Sequence, residues 1–121
     1  MSNDNNLFVD ILNLFQDDSL CFIQAPSLEN KVIDEIMAES EYDYYKIIIL
    51  SKTNKEKIIS QELVSAISAY VQSMEIRTGG KKVFEGYDGI KYGAISKDVV
   101  VPDWFKGRYI SAGLCDVSIY W

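Results

Sequence analysis

The sequence contains no histidine, and that absence removes more chemistry than any motif adds. Without an imidazole there is no Ser-His or Cys-His nucleophilic pair and no histidine-bearing zinc site. Cysteine is scarce as well. Cys21 and Cys115 stand far apart in apolar surroundings, and no CxxC occurs. They are expected to be reduced, buried and inert, as in a cytoplasmic protein. No apolar run reaches membrane-spanning length. The opening MSNDNNLFVD has neither a basic n-region nor an apolar h-region, so no secretory signal is expected there. Gly79-Gly80-Lys81-Lys82 lacks the GxxxxGK[ST] order of a phosphate loop and reads as a hairpin turn between EIRT and KKVFEG. No Dx[DN]x[DN]G loop offers a calcium site. Neither a metal nor any other cofactor is expected.

What is present is a globular composition with an uneven charge. With 121 residues, 48 % of them hydrophobic, the chain suits one domain over residues 1–121 and buries enough surface to fold without staples. The net charge is −6. Residues 1–45 hold ten carboxylates against Lys31 alone, a net −9, while residues 46–121 hold eleven Lys and Arg against eight Asp and Glu, a net +3. An acidic half repels nucleic acid and steers cationic partners toward itself. The plain alternative is a solvated face that keeps the protein soluble. The basic residues are scattered, so neither a nucleic-acid nor a membrane partner is expected. Nothing in the pattern fixes an oligomeric state.

The periodicities predict a mixed α/β fold: one mixed sheet with about three helices, a strand–helix–strand unit first and a hairpin-rich second half. NNLFVDILNLFQ has helical spacing, capped by Asp4 or Asn5, and is followed by Asp17 and Asp18, poorly suited to a helix C-terminus. Leu20–Ala25, closed by Pro26, reads as a buried strand. Ser27 is placed to cap a helix through Ser40, with Glu35 and Glu39 as a like-charge pair on its outer face. Ile47–Leu50 is apolar at every position and predicts an interior strand covered on both sides, reached by a right-handed crossover. Thr53 with Glu56 has capping-box spacing for a helix reaching Met74, with Ile59, Leu63, Ala66, Ile67, Tyr70, Val71 and Met74 inward. Short extended pieces follow at Lys81–Glu85, Ile90–Ile95 and Val99–Val101. Pro102 opens a helical turn through Trp104 and Phe105, and Leu114–Tyr120 reads as a last strand or a docked tail.

No catalytic constellation emerges. Close carboxylate pairs arise by chance among eighteen acids, and none has an oxyanion-stabilising partner at identifiable spacing, so the chain is not expected to be an enzyme. Two non-catalytic sites stand out. AESEYDYYK, with Glu35 before it, sets Glu39, Glu41, Tyr42, Asp43 and Tyr44 together. Tyrosine supplies contact area at low entropic cost, and acids steer basic proteins, so this stretch predicts a partner-binding patch. GYDGIKYG with the preceding glutamate, through Glu85, Tyr87, Asp88 and Tyr92, is the alternative, a small-ligand site. The leading expectation is an acidic protein of the immunity or antitoxin type, neutralising a basic, toxin-like partner such as a nuclease by occluding its active site. The alternative is a small-ligand-binding or regulatory domain of the sort a phage encodes.

Overall fold

The computed structural model describes residues 6–42, 44–97, 99–110 and 116–118. Asp4, Asn5, Asp43, Leu114 and Cys115, all named above, lie outside them. The chain runs through α1 (Leu7–Leu14), β1 (Ser19–Gln24), α2 (Lys31–Ile36), β2 (Ala38–Glu39), β3 (Lys46–Leu50) and α3 (Lys52–Ser65). A 3₁₀ turn (Ile67–Tyr70) then leads to β4 (Ser73–Thr78), β5 (Lys81–Tyr87), β6 (Tyr92–Ile95), a short α4 (Asp103–Phe105) continuing into a π-helical turn, and β7 (Asp116–Ser118). The expected mixed α/β architecture is what the chain adopts. One seven-stranded sheet has the order β2-β3-β1-β4-β5-β6-β7. Among the described residues, every strand pairing is antiparallel except β6 with β7.

Helix and strand limits differ from expectation in instructive ways. β1 and β3 are adjacent and antiparallel, with Cys21 opposite Ile48, so the strand–helix–strand segment is an expanded hairpin and not a right-handed crossover. The crossover rule applies only where the two strands run parallel. α2 is capped by Asn30, whose side chain accepts from the Ile33 amide at 3.0 Å, and it ends before Met37. Ser27 therefore caps nothing, and Glu39 belongs to strand β2, where it pairs with Lys46. The supposed Glu35/Glu39 helical repulsion does not exist. α3 starts two residues earlier than the Thr53–Glu56 spacing implied, with Ser51 accepting from the Asn54 amide at 3.1 Å. It stops at Ala66, which turns left-handed at φ 50°, and Met74 lies in β4.

The core forms on one side of the sheet. Cys21 and Ile23 from β1, Ile48 and Leu50 from β3, Met74 and Ile76 from β4, and Phe84 and Ile95 from β5 and β6 share it. Phe8, Ile11 and Leu12 of α1, Ile33 of α2 and Ile58 of α3 cover them. Burial of these side chains contributes about 1.5–3 kcal/mol each. The buried face of α3 is Lys55, Ile58 and Glu62, not the expected stripe, and Leu63 is 69 % exposed. The two charged members of that face have structural tasks. Lys55 Nζ donates to the Phe15 carbonyl at 2.5 Å and to Asp17 at 3.1 Å, supplying at the end of α1 the cation its own sequence lacks. Glu62 accepts from the Asn6 amide side chain at 2.9 Å and from the Ser68 backbone and hydroxyl at 2.8 and 3.0 Å, tying α1 to the 3₁₀ turn.

Two glycine sites hold the hairpins. Gly79 and Gly80, at φ 58° and 81°, make the expected β4–β5 turn. A Cβ on Gly93 would stand 2.4 Å from the Glu85 carbonyl, so only glycine lets β6 lie this close to β5.

Candidate interaction face

Side chains alternate across a strand, so the residues left out of the core must share the opposite face. Reading the registers gives three cross-strand rows. Tyr87 lies opposite Ser73 on one side and Tyr92 on the other. Next come Ile47, Phe22, Glu75, Glu85 and Ala94. The third row is Ile49, Leu20, Arg77 and Lys82. Among the described residues, the helical side chains that join the core pack against the other face. β3 is thus an interior strand covered on one side only: Ile48 is 2 % exposed and its neighbour Ile49 is 52 % exposed. The all-apolar run Ile47–Leu50 had implied cover on both sides.

A turn folds over this open face and delivers the first tyrosine. Ser40 Oγ accepts from the Tyr42 amide at 3.1 Å and donates to the Tyr45 carbonyl at 2.7 Å, closing residues 40–45. Tyr44 sits at φ 73°, a conformation costly for a bulky residue, and its side chain is 85 % exposed. The turn sets the Tyr42 ring against Phe22, edge-on at 5.3 Å between centroids. Phe22 is nearly buried by this contact although it faces away from the core. Tyr45 continues the row at the strand entrance, its hydroxyl 2.7 Å from that of Ser73.

Arg77 completes the cluster. Its guanidinium carbon lies 5.5 Å from the Phe22 ring centre and 5.6 Å from that of Tyr42, while Nε is held by Glu75. The hydrogen bond that Arg77 donates to Glu75 pushes the guanidinium above its ordinary value, outweighing burial. A register shift after Ile76 leaves Val83 as an extra residue on β5 and brings Lys82 opposite Arg77. Glu75 and Glu85 lie directly opposite each other, a like-charge pair that costs stability unless each finds a partner. Glu75 has Arg77. Glu85 accepts from the Tyr87 hydroxyl at 2.7 Å and from Lys82 at 3.4 Å. The bond to Glu85 is the main reason the Tyr87 phenol is pushed up to about 12, with burial and the carboxylate's charge adding to it. A groove of about 450 Å³ opens among Phe22, Glu41, Tyr42, Tyr45, Glu75 and Arg77.

The predicted residues fall unevenly around this face. Glu41 and Tyr42 line the groove. Tyr44 projects from the turn, and Glu39 is engaged with Lys46 at the sheet edge. Glu35 is exposed on α2. Of the alternative set, Glu85, Tyr87 and Tyr92 stand on the same open face, and Asp88 lies in the turn beyond, left-handed at φ 53°. The two sites that the sequence sets apart are thus joined, since Tyr45, beside the first, reaches Ser73, the cross-strand partner of Tyr87. Phe22, Glu75 and Arg77 were missed. Leu20–Ile23 is apolar at every position, so no alternation marks the face that Phe22 takes. Cys21 is buried and free, and burial pushes its thiol up to about 12. Among the described residues no group of three or more acids and cysteines is placed to hold a metal ion, and no helix is long and apolar enough to cross a membrane. No family model matches the chain, no curated protein matches it, and no solved structure does.

Proposed function

We propose that the chain is an inhibitory binding protein of the immunity or antitoxin type, which neutralises a basic, toxin-like partner by laying the open face of its sheet over the partner's active site. The observation that carries this reading is the open face itself. An antiparallel sheet can leave one face in water, and that face is then ordinarily polar. Here it presents Tyr45, Tyr87 and Tyr92 with Ile47 and Ile49, and Tyr42 folds over it. Aromatic side chains around a central Arg are the composition that concentrates binding energy in protein interfaces. The acids at its border, Glu41 in the groove and Asp34, which lines a hollow with Tyr42, Tyr44 and Tyr45, favour a cationic partner and speed its approach. Occlusion needs only surface and charge, which accords with the lack of histidine and of any catalytic grouping in the sequence.

An immunity gene stands beside its toxin gene, so co-expression with the product of the adjacent gene is the test. That product alone should arrest growth, and the chain should relieve the arrest. The purified pair should associate more slowly as salt is raised. A neighbour that is harmless alone, or an arrest that the chain does not relieve, refutes the reading. The small-ligand reading of Glu85, Tyr87 and Tyr92 draws on one observation, the adjoining groove of about 450 Å³, a volume within the range of small-molecule sites.

A further inference from the structure

The groove on the open face carries a more specific statement about what the partner brings to it, one that rests on the inhibitory reading above. Its lining holds two carboxylates, Glu41 and Glu75, and one cation, Arg77. Glu75 neutralises Arg77, and Glu41 is left over. Arg77 itself shows what the aromatic walls attract, since its guanidinium stands close to both Phe22 and Tyr42. An incoming anion would find Arg77 already engaged and would meet Glu41. An apolar side chain would strip water from Glu41 and give nothing in return. A guanidinium satisfies that carboxylate and has the Tyr45 ring to stack on. Guanidinium suits such a slot better than ammonium because it is planar and weakly hydrated. We infer that the groove is the anchor for an arginine side chain of the basic partner, bound by the Glu41 carboxylate and the Tyr42 and Tyr45 rings.

The probe is the capped tripeptide acetyl-Gly-Arg-Gly-amide, titrated into the ¹⁵N-labelled full chain, with acetyl-Gly-Glu-Gly-amide as the opposite charge. The arginine peptide should give saturable shifts centred on the amides of Tyr42, Glu75 and Arg77. These shifts should weaken several-fold in high salt and in Glu41→Gln, with the remaining spectrum unchanged. Shifts scattered over the surface would overturn the assignment. So would a stronger response of the same amides to the glutamate peptide, which would make Arg77 an anion site. Glu41→Arg in the co-expression assay separates this inference from the reading beneath it. Loss of relief with an intact fold supports the anchor. Full relief by Glu41→Arg removes the anchor and leaves the inhibitor standing. Failure of the unsubstituted chain to relieve arrest removes the inhibitor, and the peptide titration still decides what the groove binds.

Discussion

Ile48 and Ile49 are chain neighbours on opposite faces of β3, which makes them matched probes of the open face. Ile48 is 2 % exposed and Ile49 is 52 % exposed. Consider aspartate at each position in turn. At Ile48 the core loses a branched side chain, worth about 2–5 kcal/mol with the cavity it leaves. The new carboxyl has no partner there and adds roughly 1–3 kcal/mol. The expected cost is therefore more than ~3 kcal/mol and centres near ~5. At Ile49 only about half of a burial worth ~1.5–3 kcal/mol is at stake, and the new charge stays in water, so about 1 kcal/mol is expected, with up to ~1 more from lost strand preference. Urea unfolding followed by circular dichroism reads both. With a slope of roughly 2 kcal/mol per molar, the midpoint should fall by about 1.5 M or more for Ile48→Asp and by about 0.5–1 M for Ile49→Asp. Equal, large falls would mean that a second layer covers Ile49, and the interaction face would be lost with it. A negligible fall for Ile48→Asp would place β3 at the surface and refute the fold.

Three further outcomes follow from the polar groups. Glu62→Leu leaves the Ser68 amide, the Ser68 hydroxyl and the Asn6 side chain without their acceptor, and should cost about 2–4 kcal/mol in thermal or urea unfolding, with Glu62→Gln recovering part of it; an unchanged Glu62→Leu would refute the tie between α1 and the 3₁₀ turn. Tyr87 should be seen in the alkaline absorbance titration at 295 nm as a step at about 12, absent in Tyr87→Phe and moved downward in Glu85→Gln. Because the folded phenol holds its proton longer than the unfolded one, its share of stability is intact below pH 10.0 and is lost as pH rises through about 12; a step that ignores Glu85→Gln would deny the hydrogen bond. Cys21, in a Cys115→Ser background, should resist Ellman's reagent in the native state and react fully in urea, and rapid native labelling would contradict its burial.

Apolar periodicity made much of the fold legible. The strand at Ser19–Gln24, the Gly79-Gly80 hairpin and the helical turn after Pro102 were all readable, because each depends on local chemistry that few alternatives satisfy. The helix limits were not. Asn30 and Ser51 cap where Ser27 and Thr53 had equal chemical claims, and only the packing of the helix on the sheet chooses between them. α3 misled for a sharper reason. Its buried face includes Lys55 and Glu62, whose burial depends on Phe15, Asp17, Asn6 and Ser68 arriving from elsewhere in the chain. A spacing rule counts such residues as exposed and rotates the helix toward Leu63. The strand direction was equally hidden, since an intervening helix is compatible with either a crossover or an expanded hairpin. Glu41 and Tyr42 were named from composition, and both line the groove. Arg77 and Glu75 were not, because their meeting with Tyr42 depends on the β1–β4 pairing.

That pairing also changes what the acidic half of the chain means. As a sequence, residues 1–45 are an acidic block and residues 46–121 a mildly basic one, which implies two separate surfaces. The sheet interleaves them: β1 from the first half lies between β3 and β4 from the second, and Phe22 stands beside both Ile47 and Glu75. Charges close in the chain neutralise each other here, Glu75 with Arg77 two residues on in β4 at the centre of the open face, and Glu39 with Lys46 across β2 and β3 at the sheet edge. Exposed pairs of this kind contribute little to stability, at most about 1 kcal/mol each. Their larger effect is to leave the middle of the face aromatic and nearly neutral, with Glu41 as the acid in the groove that no such pair neutralises. On the proposed function, a surface built this way would draw a basic partner from a distance through its acids and hold it at close range through its rings. The turn that leads from residue 40 into β3 is the same turn that sets Tyr42 over Phe22, so one local structure both starts the strand and builds a wall of the groove.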